Sequence, residues 1–236
     1  PAYSQTGPIS KRLNYNLFLS STIDALDQTV DGVAYPATTL QWFAQPSLSY
    51  QLSPHSTAAA GYAFVRHNLF DRVHTDENRL WGQVAFNHAA GRGRLAHRFR
   101  YEERHPFNRG NHRMSYATLG RYHVGYTLPL SKAKKWEKGW YLTASNEVFL
   151  CISGAQNGPI GQKNAFHGED WMSAGLGYNT GKMGRVELGY MLQTLVWNPR
   201  QDLRFLHLVQ VTWLTNFRLS GISDWFYTPT LFENRN

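Results

Sequence analysis

Cysteine is almost absent from this chain: Cys151 is the only one among 236 residues. No internal disulfide and no thiolate metal cluster can be built from it, and it says little about compartment. Long apolar runs are missing too. The stretch "VFLCI" (148–152) is typical of the longest, far short of the roughly 18 residues of a membrane-spanning helix. A helical membrane protein is excluded. A barrel is not, because its strands hide every second residue from lipid and read as weakly hydrophobic. Mean hydropathy is −0.46. A sustained 3.6-residue periodicity is also absent. The opening "PAYSQTGPIS" lacks the basic start and apolar centre of a signal peptide, so an exported protein is expected to carry one outside this sequence. Acidic residues are outnumbered: 24 Lys and Arg face 16 Asp and Glu, a formal charge of +8. The cations recur singly along alternating segments, not in a tail or on one helical face, which argues against nucleic acid as a partner.

What is present is alternation with period 2, the mark of half-buried strands. It recurs over 12–22, 39–51, 57–67, 78–89, 94–105, 113–129, 140–151, 169–179, 186–196 and 203–217. Residues 39–51 set Leu40, Trp42, Ala44, Leu48 and Tyr50 against Gln41, Phe43, Gln45, Ser47 and Ser49. The stretch "RLAHRFRYEERH" (94–105) is the sharpest case. Leu95, His97, Phe99 and Tyr101 form one face; Arg98, Arg100, Glu102 and Arg104 form the other. About ten strands of around ten residues result, the length a tilted membrane strand needs.

The links between these segments alternate in length. Short turns fall at 53–56, 90–94 and 179–185, with a longer lysine-rich turn at 131–139 that carries Lys132, Lys134, Lys135 and Lys138. Long links fall at 23–38, 68–77, 105–112, 152–168 and 197–202. This is an up-and-down meander with one plain and one elaborated end, as in outer-membrane barrels. With ten strands, both chain ends belong on the short-turn side. A soluble lipocalin-like barrel or sandwich would share the alternation but turn its apolar face inward. Three features favour the inverted arrangement. The apolar faces hold little Lys or Arg, Tyr and Trp gather near segment ends as in interfacial belts, and the charged faces hold Arg and Glu. The expected fold is therefore an all-β, antiparallel, up-and-down transmembrane β-barrel of about ten strands, with twelve as the alternative. It spans residues 1–217 and is followed by an aromatic tail, 218–236, at the periplasmic side or plugging the lumen.

On that fold the charged face of 94–105 points into a narrow lumen, where a bare charge is costly and needs a partner. A lumen network of Arg79, Arg98, Arg100, Glu102, Arg104, Arg121, Glu147 and Glu187 is expected, structural or pore-lining, with Gln83 and Asp170 as further candidate partners.

At "ENRLWGQVAFNH" (77–88), "GRLAHRFRYEER" (93–104), "YLTASNEVFL" (141–150) and "SAGLGY…RVELGYMLQ" (173–193) the sequence resembles a bacterial outer-membrane family known only as domain of unknown function 2490. The resemblance covers roughly 38 to 217, and Asn-Arg-Leu-Trp and Asn-Glu-Val-Phe are its most specific words. It implies a barrel in the outer membrane of a Gram-negative bacterium and supplies no activity. One departure stands out. "LTNF", ending at Phe217, looks like an outer-membrane terminal signal, yet the chain runs on to Asn236.

Chemistry is thinly signalled. Ser145, Asn146 and Glu147 adjoin, but alternation puts Asn146 on the opposite face, and no G-x-S-x-G elbow occurs. His97 and Ser173 are expected to project outward, which keeps a lipid-modifying enzyme in view, with interfacial polar residues as the plainer reading. His74, His105 and His112 lie in long links without a zinc-like spacing, and a surface cluster without function explains them better. "GRGR" (91–94) sits in a tight hairpin and reads as a turn, not a phosphate loop. No cofactor, metal or catalytic residue is assigned. Three functions stay open: a structural or accessory barrel, a subunit of a larger envelope complex among its forms; a narrow, low-conductance pore with an Arg-rich lumen; and a lipid-modifying enzyme. Expected partners are outer-membrane lipid and lipopolysaccharide, and envelope proteins meeting the long loops or the tail 218–236.

Overall fold

A computed structural model of the chain describes residues 1–30, 32–68, 74–130, 138–154, 167–181, 183–197 and 202–215. The lysines at 132, 134 and 135 and the tail from 216 onward lie outside the described residues. Among the described residues every regular element is a strand: β1 (Ala2–Pro8), β2 (Leu13–Ile23), β3 (Gln28–Val30), β4 (Val33–Tyr35), β5 (Thr39–Ser53), β6 (Ser56–His67), β7 (Thr75–Ala90), β8 (Gly93–Asn108), β9 (Arg113–Met114), β10 (Ala117–Pro129), β11 (Gly139–Ser153), β12 (His167–Gly181), β13 (Gly184–Trp197) and β14 (Asp202–Thr215). No helix long and apolar enough to cross a membrane is found among the described residues.

Each long strand pairs antiparallel with the next, and β8 pairs with β10 to complete the ring. β3 and β4 form a separate small hairpin in the first long link. β9 adds only two residues to the edge of β8. The ring therefore closes with eleven strands, and the full hydrogen-bonded sheet counts twelve with β9. All ten alternating segments of the sequence are in it. The eleventh is β1, which alternation could not reveal: "AYSQTGP" is short and nearly as polar on one face as on the other. β1 runs antiparallel to β2 but parallel to β14, with Ala2 beside Thr212 and Gln5 beside Thr215. Ala2 thus lies within the wall, beside Thr212, where the ten-strand reading placed the first strand's start at the short-turn mouth; the other chain end lies outside the described residues. Asn16 fastens β1 from the lumen side, its Nδ2 donating to Ser4 Oγ (3.1 Å), Thr6 Oγ1 (2.9 Å) and the Gln5 carbonyl (3.1 Å).

The turns follow the alternation of lengths read from the sequence. "GRGR" is a two-residue hairpin loop, Gly91–Arg92, between Ala90 and Gly93. Its first position has φ +57°, which glycine adopts without steric cost and which a primed turn requires. The strand ends that flank the links 9–12, 54–55, 91–92, 130–138 and 182–183 lie at one end of the barrel, and those that flank 24–38, 68–74, 109–116, 154–166 and 198–201 at the other.

Side-chain direction settles which face is inside. Phe99 is 53% and Leu188 59% exposed on the outer surface, while Arg100 is 7% and Glu77 0% exposed in the lumen. Trp42, Leu80, Val84, Trp140, Leu142, Phe205 and Val211 are exposed around the same outer surface. Cross-strand rings cover part of it: Phe99 stacks on Tyr122 (4.8 Å) and Phe86 on His97 (4.6 Å). The cylinder is thus apolar outside and charged inside.

Candidate functional site: an ion-paired lumen

Even positions of β8 and odd positions of β7, β10, β11 and β12 face the lumen, because the pleat alternates and the ladder registers bring those positions level. Arg104, Glu77 and Arg79 meet in one group. Glu77 accepts from Arg79 Nε and Nη2 (3.0 Å each) and from Arg104, and its Oε2 lies 2.8 Å from His67 Nε2. Glu102 accepts from Arg121 Nη1 (2.6 Å) and Arg100 Nη1 (3.4 Å), with Arg79 Nη1 at 3.9 Å. Glu147 accepts from Arg121 Nε (2.9 Å) and Arg98 Nη2 (2.5 Å). Arg79 and Arg121 each touch two carboxylates and so link the three groups into one chain of ion pairs.

Neutral acceptors and rings complete it. Gln83 accepts from Arg100 Nε (2.8 Å) and Nη2 (2.6 Å), and Gln45 accepts from Arg100 Nη1 (3.0 Å). The Arg100 guanidinium lies over Trp81 (4.0 Å) and that of Arg121 over Phe149 (4.2 Å). A planar, weakly hydrated cation suits such stacking, which a lysine ammonium would not reproduce. Beside this lies an apolar group of Ala117, Leu119 and Phe149 with Trp171 packed on it. Together these side chains fill the half of the lumen nearer the long links.

Seven of the eight network residues expected from the sequence, Arg79, Arg98, Arg100, Glu102, Arg104, Arg121 and Glu147, are brought together here, and Gln83 joins them. Glu187 faces the lumen but sits lower, accepting from the Tyr141 hydroxyl at 2.7 Å, with Arg185 over the Tyr141 ring. Gly177 makes that contact sterically feasible: a Cβ there would lie 2.2 Å from the tyrosine ring. Asp170 is on the outer face, accepting from Asn146 Nδ2 at 2.5 Å. The centre of the network, Glu77, lay one residue outside the segment read as alternating (78–89). Its position two residues before Arg79, hence on the same face, was the available signal. Gln45, His67 and the ring partners Trp81, Phe149 and Trp171 were also missed. Arginine contacts do not follow from alternation.

Towards the short turns the lumen opens into a cavity of about 230 Å³, lined by His123, Ser145, Ser173, Glu187, Gln210 and Thr212 among others. Small residues leave this space: Gly125, Gly175 and Gly189 stand where larger side chains would project. Ser173 is therefore inward, contrary to the outward position expected for it, because β12 turns its odd positions inside. Its hydroxyl shares a hydrogen bond with Ser145 Oγ at 2.7 Å. His97 is outward, with Nδ1 2.9 Å from the Tyr122 hydroxyl. The barrel wall thus separates the serine pair from His97. His105 lies within β8, not in a long link as expected, and tilts against Tyr116; His112, in the link that follows, tilts against Phe107. Among the described residues no three His, Cys, Asp or Glu side chains converge as a metal site.

The sequence profile of the family described as "Protein of unknown function (DUF2490)" matches residues 3–203. The chain belongs to this DUF2490 family. The match begins within β1 and ends at the start of β14, so it takes in nearly the whole ring, including the strand that alternation missed. No curated protein and no solved structure matches the chain. For this DUF2490 barrel, function has to be argued from its own geometry.

Proposed function

We propose that this barrel resides in the outer membrane of a Gram-negative bacterium and serves a structural or accessory role there, with its lumen closed by ion pairs. The observation that carries the reading is orientation. Aliphatic and aromatic side chains are exposed around the outer surface while arginines and glutamates are buried within. In water such a belt would be a very large apolar patch, far beyond the few hundred Å² usual for a soluble monomer. In hydrocarbon it is the favoured surface, and a closed sheet leaves few backbone groups to satisfy.

The rims suit headgroups. Lys11, Arg12, Arg92, Arg94 and Lys138 are exposed at the short-turn end, a cationic ring for anionic phospholipids on the periplasmic side. At the other end Arg66 and Arg109 share Asp76 (2.7 and 2.5 Å) on the outer face, where lipopolysaccharide phosphates would lie. Fractionation tests the location. The expected result is a protein that stays in the outer-membrane pellet through alkaline washing and needs detergent for extraction. Recovery as a dispersed, detergent-free soluble protein would sink it.

The filled upper lumen favours a scaffold over a pore. Eight-stranded barrels are just filled by side chains and open channels appear near sixteen strands; eleven, with stacked arginines inside, lies towards the filled limit. The cavity on the short-turn side is the one feature that favours a pore. Planar-bilayer recording separates the two: a scaffold gives a silent membrane, and a pore gives stepwise currents that change when Arg98 or Arg100 is neutralised.

A further inference from the structure

The short-turn half of the lumen holds a cavity in which the arginine network takes no part. At about 230 Å³ it is smaller than the roughly 300–1,000 Å³ of sites for drug-sized ligands, so whatever it takes has few heavy atoms. No lysine or arginine is among the described residues that line it, and Glu187 is their one carboxylate. The network carboxylates Glu77, Glu102 and Glu147 each accept from two or more arginines. Glu187 differs. Its Oε1 accepts from the Tyr141 hydroxyl at 2.7 Å, and it makes no ion pair among the described residues. Arg185, two residues before it on β13, lies over the Tyr141 ring instead. A carboxylate in a confined, low-dielectric space concentrates cations around it.

The other polar groups of the cavity have acceptors to spare and few donors. Ladder register sets Thr212 directly opposite Glu187, and Gln210 opposite Gly189, the next lumen position on β13. Gln210 Nε2 is turned to Met191 Sδ (3.6 Å). Thr143 Oγ1 donates to the Gly175 carbonyl (3.4 Å) and the Tyr126 hydroxyl to the Ala90 carbonyl (3.1 Å). These three donors are therefore committed within the wall. Glu187 Oε2 and Gln210 Oε1 accept from no donor among the described residues. Gly175 and Gly189 leave bare backbone beside them, against which a short methylene chain can lie.

We propose that this cavity binds a small primary ammonium compound on a short aliphatic chain, with Glu187 as its counterion. An ammonium brings three N–H donors and no acceptor. That is the complement of Glu187 Oε2, Gln210 Oε1 and the Thr212 hydroxyl. A quaternary ammonium carries the same charge without the donors, and an anion is repelled. The inference uses the lumen alone, so it does not depend on what surrounds the barrel.

Isothermal titration calorimetry on the full chain in non-ionic detergent at neutral pH tests it, with butylammonium, butyltrimethylammonium and butyrate as probes. Butylammonium is expected to bind with a Kd of about 1 mM or tighter, butyltrimethylammonium at least about tenfold more weakly, and butyrate not at all. No binding of butylammonium up to about 10 mM would overturn the proposal, also where another part of the chain takes the space. Equal affinity for the two cations would overturn it as well, because general charge attraction then suffices. Glu187→Gln keeps the shape and is expected to weaken butylammonium at least about tenfold; unchanged affinity would count against the site. Should that variant not fold, amide resonances of the unaltered protein decide. Butylammonium is expected to shift Gly175, Gly189 and Gln210 and to leave Arg79 and Arg104 in place. Shifts confined to other residues would place the binding elsewhere and sink the proposal. None of these readouts involves fractionation, so a failed cavity site and a failed membrane assignment give different results.

Discussion

Glu77 has no exposed surface and accepts from two arginines at both oxygens, with His67 also at Oε2. Removing its charge leaves Arg79 and Arg104 short of a counterion in a site closed to water. Glu77→Gln keeps the shape and loses the charge, so it is expected to destabilise the barrel by about 3–5 kcal/mol, as breaking a buried pair does. Reversible unfolding in urea with lipid vesicles measures it; a loss within error of zero would mean that the arginines find other partners. Arg98 is the contrast. Its side chain keeps 26% of its surface and pairs with one carboxylate, Glu147, so Arg98→Ala should cost clearly less in the same assay. Gly177→Val acts by sterics. A Cβ would strike the Tyr141 ring, displacing the hydroxyl from Glu187. Lower stability is expected, with partial recovery in the Gly177→Val, Tyr141→Ala pair, where the obstructed ring is gone.

At the scale of the strand, parity decides what a substitution does. Leu188 points outward from the middle of β13 and Gly189, its neighbour, points inward. On the membrane reading, Leu188→Arg is expected to cost about 2–4 kcal/mol near mid-bilayer, whereas Ser173→Ala on the lumen side should cost about 1 kcal/mol, the worth of one hydrogen bond. Refolding into vesicles compares them, and equal costs would contradict the assigned orientation. β1 behaves differently from its neighbours because it is held by side-chain bonds from Asn16 as well as by its ladder. Asn16→Leu is expected to loosen β1 without disturbing β7 or β8, read as faster amide exchange over 2–8 alone.

For the whole molecule the controlling quantity is how the lumen is filled. An odd number of strands forces one parallel contact, and here it is β1 with β14. The ion pairs gather on the opposite wall, β7, β8, β10 and β11, and the cavity lies between the two. A barrel filled in this way should be silent in planar bilayers. The pair Arg100→Ala, Arg121→Ala, which removes the two guanidinium groups stacked on Trp81 and Phe149, is the change most suited to opening it. Stepwise current from the unaltered protein would revive the pore reading.

Alternation with period 2 is a local property, so ten of the eleven ring strands, the charged and apolar faces, and the plain and elaborated ends could all be read from the chain alone. Seven network residues followed from the same parity, since a residue's face is set by its nearest neighbours along the strand. Pairing is not local. Glu147 meets Arg98 across 49 positions and Glu77 meets Arg104 across 27, and only ladder register brings them level. Register likewise left Glu187 with Tyr141 and admitted β1, whose mixed polarity carries no periodic signal; Ser173, by contrast, faces inward by the parity of β12 itself, where Met172 and Leu176 face out.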